Sequence, residues 1–146
     1  MPDDFGLMIQ VRHADDVAQY VRHCTIRGAA LWGADWPIDT KTIRYPLVVY
    51  IHNPSRNGAA EAGVQAYATA TRVTSAPQPV PPSNPDYVPA HLRHEPHRTW
   101  FHFDQILNVS PSVAHTEFYN AARERLTSVP TDKPVALGPP YPMKHR

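Results

Sequence analysis

The sequence predicts an α+β protein built on a small, curved, mostly antiparallel sheet or β-barrel with two or three helices. Three observations lead there. Seventeen of the 146 residues are proline, and each removes a backbone donor and fixes φ, which excludes a long-helix bundle or coiled coil. Short β-forming runs recur along the chain between turn-rich connections, as in curved antiparallel folds. Helical spacing is confined to two modest segments. With 42% hydrophobic residues one core is feasible, and the length suits a single domain.

Leu7–Val11 reads as a first strand. Ala14–His23 carries Val17, Tyr20 and Val21 at helical spacing behind Asp15 and Asp16, with Gly28 as a stop; acids suit the positive end of the helix dipole and glycine suits its far end. Ala29–Gly33 is a short apolar strand entering a Trp-rich loop. Leu47-Val48-Val49-Tyr50-Ile51 is the strongest strand, a run of β-formers bounded by Pro46 and Pro54. Asn53–Gly58 is turn-rich. From Gly63 to Val73 period two sets Val64, Ala66, Ala68 and Ala70 on one face and Gln65, Tyr67, Thr69 and Thr71 on the other, a strand with one closely packed buried face.

Ala76–Pro89 holds six prolines and reads as a long loop. Arg98–Phe103 is a further strand. Thr116–Leu126 has a helical pattern, with Thr116 as N-cap and Phe118, Ala121, Ala122 and Arg125 following. Ser128–Arg146, with five prolines, is expected to be an extended tail laid on the surface or loose. The organisation is thus a domain over 1–127 and a proline-rich tail over 128–146.

Fourteen Lys and Arg against 13 Asp and Glu give a net charge of +1, so nucleic-acid binding would need a local patch rather than a general polycation. Eleven of the 14 are Arg, the cation suited to bidentate phosphate and base contacts. The single cysteine, Cys24, excludes an intrachain disulfide and reads as a small buried hydrophobe. Met1-Pro2-Asp3-Asp4 has the wrong polarity for a secretory or transit signal, and no run nears the ~20 apolar residues of a membrane span. A cytoplasmic protein is expected, with no membrane partner.

Leu31-Trp32-Gly33-Ala34-Asp35-Trp36-Pro37 holds two of the three tryptophans. Either they form a stacking platform for a base, or the indoles plug the ends of the sheet. Asp35 and Asp39 stand near enough in sequence to accept from an exocyclic amine. His91, His94 and His97 lie at spacing three with Arg93 and Arg98 interleaved. Pro96 breaks the helix that would align the imidazoles for a metal, and a basic edge meeting phosphate or a solvated loop are the other readings. No Gly-x-Ser-x-Gly, Gly-rich phosphate loop, Cys-x-x-Cys or His-Glu-x-x-His occurs. No cofactor is implied.

The order of these segments resembles the PUA-like superfamily of EVE, ASCH and YTH domains. The residues carrying the resemblance are Tyr45–Ile51 as a proline-introduced strand, Gly63–Val73 as a Gly-initiated strand and Arg98–Ile106 as a closing strand. It spans roughly residues 7–126. The resemblance implies a five- or six-stranded barrel that binds DNA or RNA, holding a flipped and often methylated base in an aromatic pocket. By position, Trp32 and Trp36 look like the pocket-bearing segment, with Tyr50 or Asn53 at the wall; in the base-recognition reading Asp35 or Asn53 would read the base edge, and Arg44, Arg93 and Arg98 would hold flanking phosphates. The Lys-Thr-Glu arrangement of ASCH amidohydrolases is not evident, as the lysines are only Lys41, Lys133 and Lys144.

The expected function is therefore non-catalytic recognition of a modified base. A protein-interaction subunit using 76–89 and 128–146 as docking segments is an alternative, since extended proline-rich segments suit grooves. A nucleoside amidohydrolase of ASCH type is the second alternative.

Overall fold

A computed structural model describes residues 6–11, 14–53 and 63–142. The turn-rich stretch expected after Asn53 lies outside the described residues. Among the described residues the strands are β1 (Gly6–Gln10), β2 (Ala30–Ala34), β3 (Leu47–Asn53), β4 (Gly63–Val80), β5 (His97–Val113), β6 (Tyr119–Asn120) and β7 (Val135–Gly138), with one α-helix, α1 (Ala14–Arg27). They form one seven-stranded sheet in the order β2-β5-β4-β3-β1-β7-β6. Only β1 and β3 run parallel; every other neighbouring pair is antiparallel.

The architecture is α+β and mostly antiparallel, but the expected barrel closure is not formed. β2 and β6 end the sheet without pairing to each other. Register shifts interrupt the long β4–β5 ladder at Val64/Ala66, Thr69/Ala70, Ala70/Arg72 and Ser75/Val80. Each extra residue bends its strand and increases the local twist.

α1 presents Val17, Tyr20 and Cys24 to the core at spacings of three and four. It ends at Gly28, whose φ of 80° few side chains tolerate and whose amide donates to Cys24 O at 2.8 Å. On this face of the sheet Leu7, Ile9, Leu47, Val49, Ile51, Ala66, Ala68, Ala70, Phe101 and Phe103 join the helix in one core cluster. The opposite face is covered by a second cluster of Met8, Tyr50, Val64, Phe118, Leu126 and Leu137. Val64 departs from the period-two reading because the bulge beside it moves it to the face opposite Ala66.

Three segments differ from expectation. The helix over Thr116–Leu126 is absent: a 3-10 turn at His115–Glu117 leads into β6, and Arg123 adopts φ 65°. Asn120 is the cause, because its Oδ1 accepts from Ala122 N at 2.9 Å and from Glu124 N at 3.0 Å, offering the backbone a local alternative to a helix. The proline-rich 76–89 stretch continues β4 as far as Val80 before a 3-10 turn at Pro85–Tyr87. Within the expected tail, Val135–Gly138 pairs with β1 and β6, and Leu137 is buried. No helix among the described residues is long and apolar enough to cross a membrane.

Candidate functional site

A cavity of about 420 Å³ lies where the end of β1, α1 and the end of β2 meet the 92–97 loop and Thr131–Asp132. Its lining divides into aromatic walls, Tyr20, Trp32, Trp36 and Trp100, and acid side chains, Asp16, Asp35, Glu95 and Asp132, with Gln10 and His97 between them.

The walls are held by the core. Trp32 projects from β2 into the α1 cluster, with its ring centroid 4.3 Å from Tyr20 and 6.3 Å from Phe103. Tyr20 donates its hydroxyl to Leu31 O at 2.8 Å; burial, reinforced by Asp16 and Glu95, raises its pKa, so the phenol is no base at neutral pH. Trp100 is buried beside Leu31 and Val88, and its indole N–H donates to Val80 O at 3.0 Å. Trp36 is half-buried, edge-on to Phe101 at 5.8 Å. Its carbonyl accepts from the buried Thr99 hydroxyl at 2.6 Å, and Ser75, 3.0 Å from Thr99, in turn accepts from Ile38 N. That relay fixes the loop after β2 on the β4–β5 ladder.

His97 forms the hinge between the aromatic and acidic parts. Its ring is buried, with Nδ1 2.5 Å from Asp35 Oδ1, Nε2 3.4 Å from Glu95 and the Trp100 ring 5.2 Å away. Gly33 makes this possible, because a Cβ there would fall 2.6 Å from the His97 Cγ. His91 meets Asp16 at 3.0 Å. His91 and His97 thus face different carboxylates, and no group of three ligand-type side chains converges among the described residues.

Of the residues expected at the site, Trp32, Asp35 and Trp36 line the cavity. Tyr50 does not: it alternates with Val49 and Ile51, faces the second cluster and stacks on Tyr141 at 5.8 Å. Asn53 is buried away from the lining, with its Nδ2 donating to Gln65 Oε1 at 2.9 Å. Arg44 is exposed outside the lining. Arg93 donates to Val88 O at 3.1 Å and Arg98, on β5, to Ala76 O on β4 at 3.2 Å, so one guanidinium braces a loop and the other the end of the β4–β5 pair. Asp39 caps a 3-10 turn by accepting from Lys41 N at 3.0 Å.

Tyr20, Asp16, Glu95, His97, Gln10 and Asp132 join the lining from distant parts of the chain. Gln10 Oε1 is 2.7 Å from Nδ1 of the buried His52; the imidazole N–H donates, which leaves the Gln10 amide N–H₂ as the end able to donate elsewhere. The thiol of Cys24 is pushed up in pKa, chiefly by burial and then by Asp104, and is no activated nucleophile. Comparison with protein-family models, with curated proteins and with solved structures finds no match to this chain.

Proposed function

We propose that this protein is a non-catalytic module that recognises a base, modified in its preferred form, of DNA or RNA. The observation that carries the reading is the convergence of three tryptophans and Tyr20 on one cavity of about 420 Å³, within the ~300–1,000 Å³ usual for small-molecule sites. Every nucleobase has a π-face for such walls, and stacking is worth ~1–3 kcal/mol per base. The carboxylates and Gln10 supply acceptors and a donor for a base edge. The same carboxylates repel phosphate, so the base enters and the backbone stays outside. On this reading Arg93 and Arg98 meet flanking phosphates with the donors not spent on Val88 and Ala76, and affinity falls modestly with salt. A PUA-like ancestry and a docking role for the proline-rich segments remain proposals beside it.

The test is a titration of modified and unmodified single- and double-stranded oligonucleotides at two salt concentrations. Trp36 is the residue to change, because it is half-buried while Trp32 is part of the core. Trp36→Ala is expected to weaken the preferred oligonucleotide about 5- to 150-fold, the stacking range converted at ~1.4 kcal/mol per decade. Absence of binding at low salt, or equal affinity of Trp36→Ala and wild type, overturns the reading.

A further inference from the structure

The polar part of the cavity has one sign. Asp16, Asp35, Glu95 and Asp132 all line it, and among the described residues its lining includes no Lys or Arg. The only cation-forming group in the lining is His97, already against Asp35 and Glu95; His91, outside the lining, meets Asp16. With both imidazoles protonated, the acids would still outnumber these cations by two. The walls favour the same charge, because the face of an indole carries the negative end of its quadrupole and attracts a cation most strongly of the aromatic side chains. Desolvation inside the cavity strengthens that attraction relative to water.

We infer that the cavity selects for positive charge: its ligand is a flat, N-alkylated organic cation, which under the base-binding reading is a nucleobase alkylated on a ring nitrogen. The inference rests on that reading for the word base, but not for the charge. Alkylation of a pyridine-type ring nitrogen, such as N1 of adenine or N7 of guanine, adds a methyl group and a positive charge at pH 7 together, so the aromatic walls and the acid rim act on one ligand feature. Methylation of an exocyclic amine adds apolar area alone. A pocket selecting by apolar area would treat the two products alike, whereas this one separates them.

1-Methyladenosine and N6-methyladenosine are isomers that differ in this respect, the first cationic and the second neutral at pH 7. Quenching of tryptophan fluorescence by each, with benzyltrimethylammonium as a cation that is not a nucleoside, tests the inference on the full chain. The expected result is a preference of about tenfold or more for 1-methyladenosine over its isomer. Asp132→Asn, at an exposed position, is expected to reduce that preference severalfold by weakening 1-methyladenosine more than its neutral isomer, and Asp35→Asn, which also alters the contact with His97, is expected to do the same. Equal affinity for the two isomers overturns charge selection and leaves base binding standing. Binding of benzyltrimethylammonium with no nucleoside bound sustains charge selection and overturns the base reading. No binding by any of the three overturns both.

Discussion

Acidification is expected to weaken the fold through one buried imidazole. His52, at the end of β3, is 5% exposed and faces Gln10 from β1 and His115 from the segment after β5. Its Nδ1–H donates to Gln10 Oε1 at 2.7 Å, and Nε2 has no partner. Burial first, and the neighbouring His115 second, lower its pKa from 6.5 to about 4. The unfolded chain therefore binds more protons than the folded one between these values. Stability from this group is complete above about pH 6.5 and is lost as pH falls toward 4. The gap corresponds to ~3 kcal/mol at 1.36 kcal/mol per pKa unit, and screening on the half-buried His115 side reduces it to about 2 kcal/mol. His102, lowered by burial and by Arg72, acts in the same direction. Urea denaturation at pH 7 and pH 4.5 measures the effect against His52→Gln, which removes the titration and keeps an amide beside Gln10. Wild type should lose about 2 kcal/mol more than the variant over that interval. Equal losses would refute burial of a neutral His52 as the source of the acid sensitivity.

Gly33→Ala is expected to force the His97 ring away from Asp35, costing ~1–3 kcal/mol as overpacking does; thermal melting reads the cost, and the base titration should weaken with it. Leu137→Ala should destabilise the protein by ~2–5 kcal/mol in the same denaturation assay, because β7 closes the second core cluster; a change within ~0.5 kcal/mol would mean that the C-terminal strand is peripheral.

How much of this was legible in the sequence follows from which contacts are local. α1 was readable because Val17, Tyr20 and Val21 share a face within two turns and Gly28 stops the helix where its φ is needed. β3 and the first half of β4 were readable from β-propensity and alternation. The region past Ser75 was not, because proline composition alone argues for a loop. Yet β3 leaves β4 after Ala70, so one edge of β4 is open there. Pro77 and Pro79, two residues apart, can lose their donors on that same edge. Around Asn120 the opposite holds: the helical spacing of apolar residues is genuine, but one amide side chain satisfies two backbone donors first. Tyr50 could have been excluded from the site by parity alone, since it points away from the face that Val49 and Ile51 bury.

The site divides mechanically as well as chemically. Trp32, Trp100 and Tyr20 are core residues whose removal would cost folding stability along with any ligand contact, so the aromatic walls are anchored in the packed sheet and helix. Asp35, Trp36, Glu95 and Asp132 sit on loops at the rim and keep solvent exposure. Such an arrangement, a preformed wall on regular elements with a polar rim on loops, lets affinity come from the wall and selectivity from the rim. Only the rim's β2 loop was visible as a motif, through Trp32, Asp35 and Trp36 in five residues. Glu95 and His97 reach it through the pairing of Gly33 with Trp100, and Asp132 through the chain's return toward β7. The rim's charge is thus a property of strand register and of the C-terminal return, set by contacts too distant in sequence for any local pattern to carry.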